Sequence, residues 1–146
     1  MSAQGMVRSY RRKQSSMINI FVVWKSDHFI SAAKKILSNR NINVAGICTN
    51  SEKAIEHFLK CGPKPDIVLL DANWGNFTIP AEIILHKFLS IEPVKIIITT
   101  TFFERYYINK FKLMEVKGFF YRNQSIDAIT NCIYKVYNDE FSFVDK

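Results

Sequence analysis

Glycine is scarce in this chain, and the few glycines lie far apart. The sequence has 5 of them in 146 residues, and Gly46, Gly62, Gly75 and Gly118 do not cluster. A P-loop, a dinucleotide-binding fingerprint and a nucleophile elbow all need closely spaced glycines, because the backbone must approach a phosphate or turn sharply there. These classes of site are therefore excluded, and the sequence predicts a protein that is not an enzyme.

Long hydrophobic runs are also absent. No apolar stretch approaches the roughly 20 residues that a membrane-spanning helix needs. The basic segment "VRSYRRK" followed by "MINIFVVW" resembles a signal peptide only in outline, since no small-residue cleavage site follows it. Cys48, Cys61 and Cys132 are an odd number without a CxxC pair, so we expect core or half-buried thiols. We predict a cytoplasmic protein with no membrane partner.

Positive charge exceeds negative charge, with a formal net charge of +7. Four of the basic residues fall within the first thirteen positions, and the others are scattered over predicted helices. No basic stripe with interleaved aromatic residues emerges, which argues against nucleic-acid binding by the domain itself. We predict that residues 1–16 are a basic tail, disordered or vector-derived, and that residues 17–146 form one domain. Direct binding of nucleic acid or of an anionic surface through that tail is the weakest of three functional hypotheses.

Apolar runs of strand length alternate with stretches of helical period. The predicted strands are 18–23, 43–49, 66–71, 94–100 and 118–121, and the predicted helices are 27–39, 51–60, 80–90, 103–115 and 125–138. The first, third and fourth strands are almost continuously apolar, which is typical of parallel strands buried on both faces. Successive β-α units imply right-handed crossovers. We predict an α/β, flavodoxin-like, doubly wound five-stranded parallel sheet of order 2-1-3-4-5 with five helices.

Three of the predicted helices have specific local signals. An apolar stripe at i, i+3, i+4 spacing in the first helix consists of Phe29, Ala32, Ala33, Ile36 and Leu37. The apolar face of the last helix consists of Ile126, Ile129, Cys132, Ile133 and Val136. Ser51 and Ser125 stand where N-caps belong, each followed by an acidic residue in the first turn.

Chemistry-bearing residues follow the predicted strands at one edge of the sheet. The first strand is followed by Trp24 and Lys25, the third ends at Asp71, the fourth at Thr99, Thr100 and Thr101, and the fifth at Tyr121 and Arg122. Ligands of open α/β sheets collect at the carboxyl ends of the central strands. A carboxylate, hydroxyls and a long basic side chain are therefore expected to converge there.

The chain here resembles the receiver domain of bacterial two-component response regulators, of the kind attached to LuxR/NarL/FixJ-type helix-turn-helix domains. The stretches that carry the resemblance are "INIFVVWKSDHF", "KPDIVLLDANWGN", "VKIIITTTFFERYY" and "VKGFFYRNQSIDAI". They span about residues 18 to 143. The resemblance implies the CheY-like version of the predicted fold.

The resemblance also implies roles for individual residues. Asp71 matches the aspartate that accepts a phosphoryl group. Thr100 matches the hydroxyl residue that moves toward the phosphate, and Phe119 matches the aromatic residue that swings with it. Arg122 stands where the family has a lysine that contacts the phosphate.

The chain departs from the family at the acidic pair that should hold Mg²⁺. With no gap, Trp24 and Lys25 occupy those positions, so Lys25 can donate directly to Asp71 and replace the metal's charge. Mg²⁺ needs hard oxygen ligands, commonly one or two carboxylates with waters and phosphate oxygens. Trp24 and Trp74 could then cover the cleft. A two-residue slip would instead make Asp27 one ligand of a weak Mg²⁺ site.

Two functional hypotheses follow from this resemblance. The first is an atypical, phosphorylation-independent receiver without a cofactor, which forms a homodimer and signals to a DNA-binding effector domain of the same full-length protein, absent from this chain. Its dimer surface would be the first and fifth helices, or the fourth helix, fifth strand and fifth helix. The alternative is a conventional phosphoacceptor modified at Asp71, with a weak Mg²⁺ site and a sensor kinase as partner.

Overall fold

The computed structural model describes residues 17–24, 28–62, 64–71, 81–91, 94–100, 105–121 and 124–143. Strands and helices alternate along them: β1 (Ile18–Val23), α1 (His28–Ser38), β2 (Ile42–Cys48), a 3-10 helix (Ser51–Lys53), α2 (Ala54–Leu59), β3 (Ile67–Asp71), α3 (Ala81–Leu89), β4 (Lys95–Thr100), α4 (Arg105–Leu113), β5 (Gly118–Tyr121), α5 (Ile126–Tyr137) and β6 (Ser142–Phe143). None of the helices in these ranges is long and apolar enough to cross a membrane. The predicted basic tail, residues 1–16, lies outside the described residues.

The strands form one parallel sheet of order β2-β1-β3-β4-β5-β6. The predicted α/β class, the order of the first five strands and the five helices are confirmed. The predicted number of strands is wrong by one, because β6 adds to the edge of β5. A strand of only two residues has no measurable alternation, so its sequence carries no periodic signal.

The two faces of the sheet carry different helices. One buried cluster joins the strands to α1 and α5, through Leu37 and Ile133 among others; we call this side the α1–α5 face. The other cluster joins the strands to α2, α3 and α4, through Phe58, Phe88 and Phe111 among others; this side is the α2–α4 face. Because both faces are covered, the inner strands are buried along their length, as their unbroken apolar runs indicated.

The apolar stripe predicted for α1 is too wide. Ala33 and Leu37 are buried, but Ala32 is exposed and Ile36 is 43% exposed. The helix therefore meets the sheet along a line of residues spaced by one turn, which is narrower than the apolar stripe of a helix in a bundle. The side chain of Phe29 lies outside the described part of the chain.

The predicted caps have different outcomes. Ser125 is the N-cap of α5, and its Oγ accepts the amide of Ala128 at 3.1 Å. The prediction of Ser51 as a helix N-cap is wrong, because a 3-10 helix begins there and Lys53 precedes the first residue of α2. Asn50 supplies the side-chain acceptor instead, with its Oδ1 2.9 Å from the amide of Glu52.

Candidate functional site

The carboxyl edge of the sheet brings three residues side by side. β3 pairs with β4 so that Asp71 lies opposite Thr99. β1 pairs with β3 so that Val23 lies opposite Leu70, which puts the following residue, Trp24, next to Asp71. The amide of Trp24 donates to the carbonyl of Cys48 at 3.1 Å, so its backbone continues the β1–β2 pairing.

These three residues share the α1–α5 face. Trp24 belongs to the buried cluster of that face, together with Leu69 and Ile97. Side chains alternate along a strand, so Asp71 points to the same side as Leu69, and Thr99 to the same side as Ile97. A carboxylate, a hydroxyl and an indole ring are thus neighbours beneath the edge of the sheet.

Burial is the main physical property of this site. Asp71 and Thr99 are 0% exposed, and Trp24 is 2% exposed. An ionised carboxylate out of water costs several kcal/mol, unless hydrogen-bond donors or a cation compensate it. The position of Asp71 therefore requires donors or a positive charge close to its oxygens.

Thr99 is the site residue that the sequence reasoning did not single out. Its Oγ1 has no hydrogen-bond partner in the structure, although it is fully buried. Thr100, the residue matched to the switch hydroxyl, lies opposite Tyr121 of β5, and its side chain lies outside the described residues. Because side chains alternate along a strand, the sequence could have indicated that Thr99 points to the same side as Ile97. The register that puts Thr99 opposite Asp71 is seen only in the structure.

Phe119 does not join this group. It is 1% exposed and lies in the cluster of the α2–α4 face, opposite Ile98 of β4. Its ring packs edge-on against Tyr121, with centroids 5.2 Å apart, and parallel to Phe143, with centroids 6.5 Å apart. The whole of β4 therefore separates the proposed switch aromatic from Asp71.

Of the two tryptophans predicted to cover the cleft, Trp24 is the one that lies within the described residues. Trp24 is a core side chain of the α1–α5 face rather than a surface lid. Trp74, Lys25 and Arg122, and Asp27 of the alternative alignment, lie outside the described residues, so their predicted roles stay predictions.

The side chain of Gln124 is hydrogen-bonded to the end of β5. The amide of Tyr121 donates to Oε1 of Gln124 at 2.7 Å, and the amide of Gln124 donates back to the carbonyl of Tyr121 at 3.1 Å. Two hydrogen bonds therefore join Tyr121, the last residue of β5, to Gln124, which precedes α5.

Among the described residues, the edge of the sheet offers few oxygen ligands for Mg²⁺. Over the described ranges, no three His, Cys, Asp or Glu side chains come together in a way that could hold a metal ion. The carboxylate of Asp66, at the opposite end of β3, accepts the amide of Asn19 at 2.9 Å. Among the described residues, Asp71 is thus the carboxylate at this edge, and the described side chains around it do not by themselves complete a magnesium site.

The thiols are not candidates for nucleophilic chemistry. Burial raises the pKa of Cys48, of Cys61 and of Cys132 above the ordinary value of a thiol. Cys48 and Cys132 are buried and Cys61 is half-buried, as predicted. A raised pKa leaves little thiolate at neutral pH, and the thiolate is the reactive form.

Comparisons with known proteins place the fold. No family model and no curated protein matches the sequence. Among solved structures, the non-phosphorylated receiver domain of the stress response regulator RcsB from Escherichia coli is 13% identical, with a TM-score of 0.76, and the match covers 89% of this chain and 100% of that one. The isolated receiver domain of RcsB from Salmonella enterica serovar Typhimurium, in the presence of the phosphomimetic BeF3⁻, is 11% identical, with a TM-score of 0.74 and coverage of 89% and 95%.

A DNA-binding response regulator of the LuxR family from Staphylococcus aureus is also similar. It is 18% identical, has a TM-score of 0.71, and the match covers 84% of this chain and 100% of that one. Structural likeness at such low identity is evidence about fold. The chain has the fold of response regulator receiver domains.

Proposed function

We propose that this chain is an atypical receiver domain that acts by protein–protein contact, independently of phosphorylation. The observation that carries this proposal is the burial of Asp71 beside Trp24: the carboxylate is 0% exposed and the tryptophan 2% exposed. Phosphoryl transfer needs an in-line approach of the donor to the accepting oxygen and a cation to neutralise the phosphoryl oxygens. A fully buried carboxylate next to an indole ring offers a phosphoryl donor no open approach.

Lys25 is the residue proposed to compensate the buried charge. It follows Trp24 directly in the sequence, and an ammonium group that donates to Asp71 would supply a fixed positive charge where a metal would otherwise sit. Such a pair would keep the carboxylate ionised without Mg²⁺, and it would hold the edge of the sheet in one arrangement.

The proposed output is contact with other protein domains. The Staphylococcus aureus structure is named a DNA-binding response regulator of the LuxR family, and its likeness to this chain supports a DNA-binding effector domain as the partner. We propose that the receiver forms a homodimer and thereby positions such a domain in a longer protein.

A conventional phosphoacceptor is the second candidate, and Thr99 favours it. The Thr99 hydroxyl is a buried donor without a partner, opposite Asp71. Such a hydroxyl could donate to an oxygen of an acyl phosphate on Asp71. A sensor kinase would then be the partner, and Asp27 would complete a weak Mg²⁺ site.

Intrinsic fluorescence separates the two candidates, because Trp24 lies next to Asp71. The protein is titrated with Mg²⁺ and then with Mg²⁺ plus beryllofluoride, which mimics a phosphoryl group on an aspartate. We expect a flat trace, and no added phosphoryl mass after incubation with acetyl phosphate. A saturable response that is lost in Asp71→Asn would contradict phosphorylation-independence and favour the conventional switch.

A pair of substitutions at Lys25 tests whether this residue replaced a ligand of the metal. Lys25→Asp removes the ammonium group and adds a carboxylate, whereas Lys25→Met removes the ammonium group only. A beryllofluoride response in Lys25→Asp, with none in Lys25→Met, is the expected result if the metal site was lost by substitution at this position. Sedimentation of the unmodified chain without phosphodonor tests the proposed dimer, since a monomer at all concentrations would contradict it.

A further inference from the structure

The chain folds back onto the sheet after α5. Asp139 has a φ of 64°, in the left-handed region, which turns the chain by a sharp angle. Nζ of Lys95, at the start of β4, lies 2.8 Å from Oδ1 of Asp139 and 3.0 Å from the carbonyl oxygen of Tyr137. The turn that leads to β6 is therefore tied to the amino end of the sheet.

The main chain of β6 is bonded to its neighbours on two sides. The amide of Ser142 donates to the carbonyl of Lys117 at 3.0 Å, and Ser142 lies opposite Gly118 in the parallel pair. The thiol of Cys132 in α5 lies 3.6 Å from the carbonyl oxygen of Ser142. β6 thus lies along the edge of β5 and is also attached to α5.

Gly118 allows this close packing. A Cβ at position 118 would lie 2.8 Å from Cγ2 of Val136 and 3.2 Å from Sγ of Cys132. Real Cβ atoms essentially never come within 3.0 Å of another heavy atom, so a side chain here would force Val136 and with it α5 to shift away from β5. The glycine therefore brings α5, β5 and β6 into one tightly packed corner.

The side chain of Phe143 covers the aromatic residue matched to the switch. Its ring is parallel to the ring of Phe119, at an interplanar angle of 4°. Nζ of Lys112 in α4 lies 4.9 Å from the centroid of Phe143, within the range of a cation–π contact. Phe143 thus connects β5 to α4, whereas Phe141, two residues earlier, is 67% exposed.

We propose that β6 is a latch, which holds Phe119 in its buried position and occupies the edge of β5. The inference deepens the proposed function, on which it rests: a receiver whose switch aromatic is held by its own last strand keeps one conformation whatever happens at Asp71.

The latch can be opened without unfolding the domain. β6 has two residues and one neighbouring strand, and segments with few buried contacts open locally, at a lower free energy than the core. Its release would expose the edge of β5 and the ring of Phe119, so β5 amide exchange reports the state of the latch.

The test is hydrogen exchange of the full chain, with Phe143→Ala compared with Phe141→Ala. Both variants lose one phenyl ring from the same short segment, but only Phe143 packs on Phe119. We expect Phe143→Ala to speed exchange of the β5 amides by about tenfold or more, through local opening. Phe141→Ala loses only an exposed ring, whose centroid lies 4.7 Å from Nζ of Lys117, so it should speed this exchange far less than Phe143→Ala. Phe143→Tyr, which keeps the ring, should exchange like the unmodified chain.

Two exchange results would contradict the proposed latch. Unchanged β5 exchange in Phe143→Ala would overturn the latch, and so would equal acceleration in both alanine variants, since the Phe119 contact would then not be responsible. If Phe143→Ala does not fold, Ser142→Pro removes the amide that bonds Lys117 and should produce the same local opening. A beryllofluoride response in the unmodified chain would refute the proposed function, while the exchange result alone decides whether β6 holds Phe119.

Discussion

The two faces of the sheet are built from different chemistry. The α2–α4 face has an aromatic centre: Phe21 meets Phe58 edge-on at 5.5 Å, Phe58 meets Phe88 edge-on at 5.3 Å, and Phe21 meets Phe88 at 6.3 Å. Aromatic pairs in these geometries add to the stability that their buried area supplies. This face is therefore specialised for packing.

The α1–α5 face has a mainly aliphatic core, which also contains Trp24 and Phe120, with a polar cluster at its rim. Nη1 of Arg40 lies 2.7 Å from Oδ1 of Asp127 and donates to Oγ1 of Thr130 at 3.2 Å. The hydroxyl of Tyr134 donates to the carbonyl of Arg40 at 2.6 Å. These bonds connect the end of α1 to α5, so that the two helices of this face hold each other as well as the sheet.

The candidate site belongs to the second of these faces. Asp71 and Thr99 are buried on the α1–α5 face, and Thr130 of α5 is buried there as well. The aromatic face holds Phe119, which is fixed by packing. The buried charge of Asp71 and the proposed β6 latch on Phe119 thus concern opposite sides of one sheet.

The largest expected effect comes from a substitution in the aromatic centre of the α2–α4 face. Phe88→Ala removes a ring that is 0% exposed and touches both other rings of the group. We expect the free energy of unfolding to fall by about 3–5 kcal/mol, from lost burial and the remaining cavity. Urea denaturation measures this loss.

An exposed residue on the same helical layer provides the control for Phe88→Ala. Leu59→Ala, at a side chain that is 66% exposed in α2, should change the free energy of unfolding by no more than about 0.5 kcal/mol. A loss under about 1 kcal/mol in Phe88→Ala would mean that this face is not the main packing layer.

Two threonines of the α1–α5 face should respond in opposite directions to the same substitution. Oγ1 of Thr130 donates to the carbonyl of Ile126 at 2.6 Å and accepts from Arg40, whereas Oγ1 of Thr99 has no partner. Thr130→Val should therefore destabilise the fold by about 1–2 kcal/mol, and Thr99→Val should stabilise it by about 1 kcal/mol.

Thermal and urea unfolding of the two valine variants measure this pair of effects. Destabilisation by Thr99→Val would indicate that its hydroxyl is bonded in solution. That result would favour a role for Thr99 as a donor at Asp71.

The smallest effect concerns pH. Burial raises the pKa of Cys48 on the aromatic face and of Cys132 on the α1–α5 face above the ordinary 9.0. The folded chain then binds these protons more tightly than the unfolded chain does. The resulting stability is complete below pH 9 and is lost as the pH rises through the higher pKa of the folded state.

Alanine variants of Cys48 and Cys132 show how much each face of the sheet contributes to this loss of stability. Urea midpoints between pH 8 and pH 10.5 should fall less steeply in Cys132→Ala than in the unmodified chain, because one buried thiol no longer ionises. The same comparison for Cys48→Ala gives the contribution of the aromatic face. Equal pH slopes in all three proteins would contradict the expected linkage.

Much of the fold could be predicted, because burial on both faces leaves a direct mark on sequence. The unbroken apolar run from Ile67 to Leu70 indicated a central parallel strand, and its end indicated Asp71 as the candidate site. The cap at Ser125 is local, since a hydroxyl and an amide three residues away suffice. The width of the α1 stripe was wrong, because Ile36 is apolar but has no sheet beneath it.

The residues of the chain by themselves determined the first five strands and the five helices, the class of the fold, and the carboxylate at the end of β3. These properties depend on hydrophobic period and on the order of elements, which can be read along the chain. Tertiary structure alone decided that Thr99 faces Asp71, that Phe119 lies across β4 from it, and that Phe143 packs on Phe119. Those contacts depend on the register between strands distant in sequence and on how α4 and α5 flank the edge of the sheet, and no local pattern encodes either.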